Sequence, residues 1–446
     1  MRLRAAGVLM AALTLTVARA QPDDTAGGTA MAPEVIVDID FNDEVIARPE
    51  PMTEAQVVEL VEELHAAGAQ TLMVRMGFLG LLPYRTELSY PLTFDEADFR
   101  ATYWGSAGEI DRLVERNLSW LERYRAVLAA YDPPEVFIRA GHERGMKVIL
   151  WIDIYDDGYP GFHSKFLDEH PHCAWTARDG RTRFRGLFQY AWPEARAFRV
   201  QQARELLDLG ADGIHLSTSA HSRHMPNVHE DDFYGFGAPI VEEYRRRCGV
   251  DLTTAEEFDR ELWHEIKGEA VNRLYREIAA ECHARGKELW LGLQLGDYVH
   301  LAADPYFGDN VVARYRNLWQ PLVTEGTADA LVVGDYESMT AGPAHPYWRA
   351  KRSIPEDADL YAFGAAQYGP LCREHAVPIY LFGEWLPGSH QALDTQLATK
   401  ARHVLDHGYD GIDLHEALNF EGGRMVFLQR FAVRLRGLDP GPRPPE

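Results

Sequence analysis

Cysteine is scarce in this chain. Four residues (Cys173, Cys248, Cys282, Cys372) are spread over 446 positions with no C-x2-C pair. That excludes a disulfide-held mini-fold and the common cysteine zinc sites. One or two disulfides, in three possible full pairings, and four separate thiols are both compatible with the spacing. Positive charge is also short. Lys and Arg number 45 against 68 Asp and Glu, a formal net charge of −23. Such a surface repels nucleic acid and anionic membranes, and suits neutral or cationic partners. No phosphate-binding glycine loop or dinucleotide fingerprint occurs, and the nucleophile elbow G-x-S-x-G is missing around Ser217, Thr218 and Ser219. Amidohydrolase-type barrels need H-x-H on the first strand, where this chain has Asp38-Ile39-Asp40.

Long apolar runs are missing as well. The N-terminal run GVLMAALTLTV is too short to span a bilayer. With Arg2 and Arg4 before it and Ala18-Arg19-Ala20 after it, residues 1–20 read as a cleaved signal peptide, and the chain is expected to be exported, not inserted in a membrane. Residues 21–32 then form a flexible linker, residues 33–436 one domain, and residues 437–446 a disordered tail.

What is present is a rhythm. Eight short apolar runs recur: PEVIVDID (33–40), QTLMVRM (70–76), KVILWID (147–153), DGIHLST (212–218), ELWLGLQ (288–294), DALVVGD (329–335), VPIYLFGE (377–384) and DGIDLHE (410–416). Nearly all follow an amphipathic stretch that stops near a glycine, as in HAAG, HERG, HARG and DHG. Eight strand–helix alternations predict an α/β fold, a single (β/α)8 barrel. Thr53 to Gln56 is a capping box, and Thr254 to Glu257 repeats the device. Ser389 opens a helix carrying Leu393, Leu397, Ala401 and Val404 on one face. The connections after strands 2, 3 and 4 are long and lie on the C-terminal face of the barrel, where function sits.

Those loops are rich in aromatics, among them Tyr84, Tyr155, Trp175, Tyr190 and Trp192. An aromatic face suits a sugar ring, whereas a long loop also needs a small core of its own. Acidic residues crowd the strand tips. Glycoside hydrolysis needs two carboxyls, about 5 Å apart for retention or roughly 6.5–9.5 Å for inversion, one protonated and one ionised. The candidates are Glu384, Asp335 and Glu416, with Asp153, Asp40, Arg75, Tyr155, Trp192, His215, Tyr336 and Trp385 as substrate-binding residues. Tip acids also pair with arginines such as Arg75. The segment His221–Asp232 holds metal-ligating residue types, but its H-x2-H-x4-H spacing matches no standard zinc site, so no metal and no cofactor are expected. Arg178, Arg181, Arg183 and Arg185 flank an Asp179-Gly180 turn, which reads either as an exposed β-ribbon or as a clamp for an anionic sugar.

Two segments, GHERGMKVILWIDIY (141–155) and YAWPEARAFRVQQARELLDLGADGIHLSTS (190–219), resemble the glycosyl hydrolase-like barrels of the family 10-like type. The resemblance implies a secreted carbohydrate-active barrel with an oligo- or polysaccharide substrate. It also implies an aspartate at the tip of strand 4 and an arginine three residues on, where this chain has Ser217 and Ala220. Hydrolysis by a carboxyl pair is thus the first reading. A polysaccharide lyase using a base beside an arginine, or a saccharide-binding barrel without catalysis, is the alternative.

Overall fold

The computed structural model describes residues 32–218, 229–302, 311–334, 350, 352–383 and 390–437. Signal peptide, all but the last residue of the linker, all but the first residue of the tail, and Asp335, Tyr336, Glu384, Trp385, His221, His224 and Ser389 lie outside the described residues.

Eight parallel strands close into a barrel in chain order. They are β1 (Glu34–Ile39), β2 (Thr71–Arg75), β3 (Lys147–Asp153), β4 (Gly213–Ser217), β5 (Glu288–Leu293), β6 (Ala330–Val333), β7 (Ile379–Gly383) and β8 (Gly411–Leu414). Each coincides with one of the eight apolar runs. The helices around them include α1 (Phe41–Ala47), α2 (Glu54–Ala66), α3 (Ala107–Ala130), α4 (Pro133–Glu143), α5 (Pro193–Asp208), α6 (Arg260–Ala284), α7 (Leu360–Glu374), α8 (His390–His407) and α9 (Met425–Leu435).

The strands are apolar on both faces because both are covered. Ile36, Met73, Ile149, Trp151, Trp290, Ala330, Val332 and Tyr380 pack together inside the barrel. Their chain neighbours, such as Val35, Leu72, Leu150, Leu291 and Leu381, belong to the core shared with the helices. A strand has a side-chain period of two, so the inward set continues upward as Asp38, Arg75, Asp153, His215 and Ser217. The polar floor of the functional face is therefore written in strand parity.

The opposite face is held by a repeated latch. The aspartate before β4, Asp212, accepts the Val148 N–H of β3 at 2.9 Å and meets His142 of α4 at 2.8 Å. Before β6, Asp329 accepts the Leu289 N–H of β5 at 2.8 Å and meets His283 of α6 at 2.8 Å. Before β8, Asp410 accepts the Ile379 N–H of β7 at 2.8 Å. In two of these strands glycine follows because a side chain would not fit. A Cβ on Gly213 would lie 2.5 Å from the Glu288 carbonyl oxygen, and one on Gly411 would lie 2.3 Å from that of Glu34.

Local signals were honoured unevenly. The Thr53–Gln56 capping box forms as expected. The second box does not: α6 is capped by Asp259, whose Oδ1 accepts the Glu261 and Leu262 N–H groups at 2.9 and 3.1 Å. Thr254 and Ala255 instead donate their backbone N–H groups to the Asp251 carbonyl. All four cysteines are free thiols, three buried and Cys248 exposed. An antiparallel hairpin, Tyr298–Ala302 with Val311–Arg316, follows β5 and was not foreseen.

Candidate active site

Arg75 ends β2 inside the barrel and is the hub of the floor. Its Nη1 meets Asp40 at 2.5 Å, and its Nη2 meets Asp153 at 2.5 Å and Asp156 at 2.6 Å. The guanidinium also lies 5.1 Å from the Trp151 ring centroid and 5.3 Å from that of Phe78. Burial alone would lower its pKa, but Asp153, Asp40 and Asp156 outweigh it and hold the charge in place. One guanidinium cannot neutralise three carboxylates. At Asp153 burial wins over Arg75, and the group is pushed up to about 7. Both Asp40 and Asp153 are otherwise engaged. Asp40 Oδ1 accepts from the Asn42 backbone and side chain at 3.1 and 2.8 Å, and Asp153 Oδ1 accepts from the Trp151 indole at 2.9 Å.

A second group sits where β8 meets β1. Asp38 receives the Nδ1 side of His415 at 2.8 Å. Asp413, on the inward face of β8, is 1 % exposed, and its Oδ1 has no hydrogen-bond partner. Burial raises both aspartates well above the carboxylate range, Asp40 adding to the effect at Asp38 and Asp38 at Asp413. Three residues past Asp413, Glu416 is 5 % exposed with Oε2 unpartnered. Burial pushes Glu416 up to about 9; His415 opposes this, while Asp43, Asp40 and Asp38 reinforce it. The helix α1 that brings Asp43 here is capped by Asp40 itself. Burial, with Asp40 beside it, raises Asp43 to about 7.

His215 of β4 completes the interior. Its ring stands edge-on to Trp151 at 6.2 Å, and Gly292 of β5 leaves the space it occupies, since a Cβ there would approach the imidazole to 3.1 Å. Burial lowers its pKa to about 3, so it is a neutral imidazole, with Nδ1 unpartnered. Gln294, one residue past β5, accepts the His300 N–H at 2.8 Å and donates to Thr218 at 3.3 Å, anchoring the unforeseen hairpin over the floor.

The structure thus brings Asp40, Arg75, Asp153, His215 and Glu416 together at one end of the barrel. Tyr155 is elsewhere in character: it is wholly buried, against Tyr190 at 5.5 Å and Tyr315 at 6.3 Å. Trp192 is half-buried, edge-on to His172 at 4.7 Å. Other loop aromatics make loop cores, such as Phe94 against Phe99 and Phe162, with Phe162 in turn against Trp120; Trp104 stands out at 52 % exposed. The Asp179-Gly180 ribbon forms, pairing Ala174–Thr176 with Arg183–Phe188. Its Arg185 is taken by Asp98 at 2.7 Å, and Arg178 lies over Phe258, so two of the four arginines are already engaged. In the histidine-rich loop His229 stacks on Phe233 at 3.9 Å, and Asp232 pairs with Arg314 at 2.7 Å. Sequence reading missed His415, Asp413 and Asp156 as members of the site. The inward parity of β8 was the available signal for Asp413.

No family model matches the chain, and no curated protein matches it. Among solved structures, the catalytic domain of beta-amylase from Paenibacillus polymyxa superposes with a TM-score of 0.52 at 10% identity, over 90% of this chain and 98% of that one. The PgaB (BpsB) glycoside hydrolase domain from Bordetella bronchiseptica gives a TM-score of 0.47 at 12% identity, over 91% and 98%. The likeness is one of fold. The first match shows the barrel, and the second, below 0.5, adds no weight. What the chain does has to be argued from its own side chains.

Proposed function

We propose that this is an exported carbohydrate-active enzyme that hydrolyses glycosidic bonds at the C-terminal face of the barrel, with Glu416 as general acid. The observation that carries the reading is the state of Glu416. It is a carboxyl group at a strand tip, held protonated to about pH 9 by burial and like-charged neighbours, with one oxygen uncommitted. Asp40 and Asp153 lack that freedom, since Arg75 and local donors occupy them. Their role in this reading is to hold Arg75 and to raise the local negative potential, which favours an oxocarbenium-like transition state. The second carboxylate of the pair is assigned to Glu384. It follows Gly383, which pairs with Leu414 two residues before Glu416. Asp335, next to Gly334 after β6, is the other choice for that role. The likeness of residues 141–155 and 190–219 to family 10-like barrels supports the same class.

The test is a screen of the purified protein against neutral and charged polysaccharides, reading new reducing ends. Glu416→Gln should lower turnover by roughly 10²-fold or more, the usual worth of a general acid, while leaving sugar binding intact. Unchanged turnover would remove Glu416 from the role, and binding without products would favour a binding barrel. One observation favours a lyase as second reading. The Asp38–His415 pair is an oriented imidazole, with Arg75 close enough to Asp38 to act on its charge. Unsaturated product ends, seen by ultraviolet absorbance, would select that reaction.

A further inference from the structure

Away from the residues used above, two outer-ring helices bring together three ligating side chains. Asp359 is the N-cap of α7, and its Oδ1 accepts the Tyr361 and Ala362 N–H groups at 2.9 and 3.2 Å. His403 and His407 lie one turn apart on α8, so they share a face. One ligand atom from each of the three residues lies within 4.8 Å of the others. The imidazoles are not loosely placed. His403 stacks on Tyr361 at 3.8 Å and 12°, and on His407 at 5.7 Å and 11°.

We propose that Asp359, His403 and His407 form a binding site for one divalent zinc-type cation. Two imidazoles and one carboxylate are a donor set that zinc and its neighbours prefer, whereas calcium and magnesium call for oxygen alone. Tetrahedral coordination at about 2.0–2.1 Å needs donor atoms roughly 3.4 Å apart, within reach of small rotations of the three side-chain ends. Three protein ligands leave a fourth position for water. The ion would tie the start of α7 to the last turns of α8, two successive helices of the ring, independently of any reaction at Glu416. Another cluster, His172, Cys173 and Glu194, has ligand atoms equally close. It is the weaker one, because its thiol is fully buried and burial raises it to about 12, far from the thiolate a metal needs.

The experiment uses the full chain without a histidine tag, stripped with chelator and titrated with zinc chloride by calorimetry, with melting followed in parallel. The expected result is one equivalent bound with micromolar or tighter Kd and a melting temperature that rises with zinc. Asp359→Asn retains a capping side chain, and His407→Gln retains a polar one, so both should fold. Each should weaken Kd at least tenfold and abolish the zinc-dependent rise, with the zinc-free melting temperature unchanged. His172→Ala should bind as the unchanged chain does. No saturable binding, unchanged Kd in both ligand variants, or loss confined to His172→Ala would each overturn the proposal.

Discussion

At the residue scale the site is governed by the scarcity of positive charge beneath many carboxyls. Ionising Glu416 would add a like charge beside Asp43, Asp40 and Asp38 where water cannot screen it, so the proton stays to about pH 9. In the general-acid role proposed for it, Glu416 would work only while protonated. Turnover is therefore expected to hold through neutral pH and fall as pH rises through 9, read from a pH–kcat profile. Arg75 is the opposite case, a cation whose loss strands its partners. Arg75→Met leaves Asp40, Asp153 and Asp156 without it, and breaking such a buried pair costs about 3–5 kcal/mol. Urea unfolding would measure it, and a loss below about 1 kcal/mol would show that these carboxyls simply take up protons. The membership of this floor was partly legible in sequence. Asp40, Arg75, Asp153 and Glu416 end apolar runs, and a strand end fixes their position. Which of them Arg75 would occupy was not, because ion pairing across three strands and a loop depends on register and burial. Tyr155 shows the same limit: an aromatic just past a strand reads alike whether it faces a sugar or, as here, Tyr190.

At the element scale the fold reuses one device. The aspartates before β4, β6 and β8 each satisfy an N–H at the edge of the preceding strand. Asp212→Ala would leave the Val148 N–H and His142 without that partner, and a loss of about 1–3 kcal/mol is expected. Turnover per folded molecule should not change, since the latch is at the opposite end from Glu416. Gly411→Ala should cost more than a surface change, because the backbone of Glu34, not a flexible side chain, stands in the way. Its unfolding midpoint against that of Gly108→Ala isolates the crowding, because neither glycine has a positive φ and a Cβ on Gly108 would meet nothing within 4 Å. The D-G-hydrophobic phrase was visible in sequence; its meaning needed the neighbouring strand. Thr254 was read as a cap because four residues matched a pattern, and Asp259 prevailed because its carboxylate reaches two N–H groups where the hydroxyl of Thr254 reaches none. The hairpin after β5 escaped notice because its first strand follows β5 by only a few residues.

At the scale of the whole molecule, buried carboxyls tie stability to pH. Glu416 holds its proton to about 9 when folded but releases it near 4.5 when unfolded, so the stability it contributes is full at low pH and lost as pH rises through 9. Glutamine cannot ionise. Glu416→Gln should therefore gain stability relative to the unchanged chain between pH 5 and pH 9, read as the difference in urea midpoints; equal differences at both values would contradict the shift. The barrel itself was legible throughout, since eight apolar runs with helices between them admit few other folds. The pairing that closes it has a further consequence. Asp38 and His415 touch across 377 residues of chain, and β1 finds its second neighbour only in β8. The acid cluster is thus assembled at the seam where the two ends of the domain meet. During synthesis β1 must wait, one edge unpaired, until nearly the whole domain has emerged. The chemistry proposed for Glu416 would in this sense be a completion signal, absent from every shorter nascent chain however well its first strands have folded.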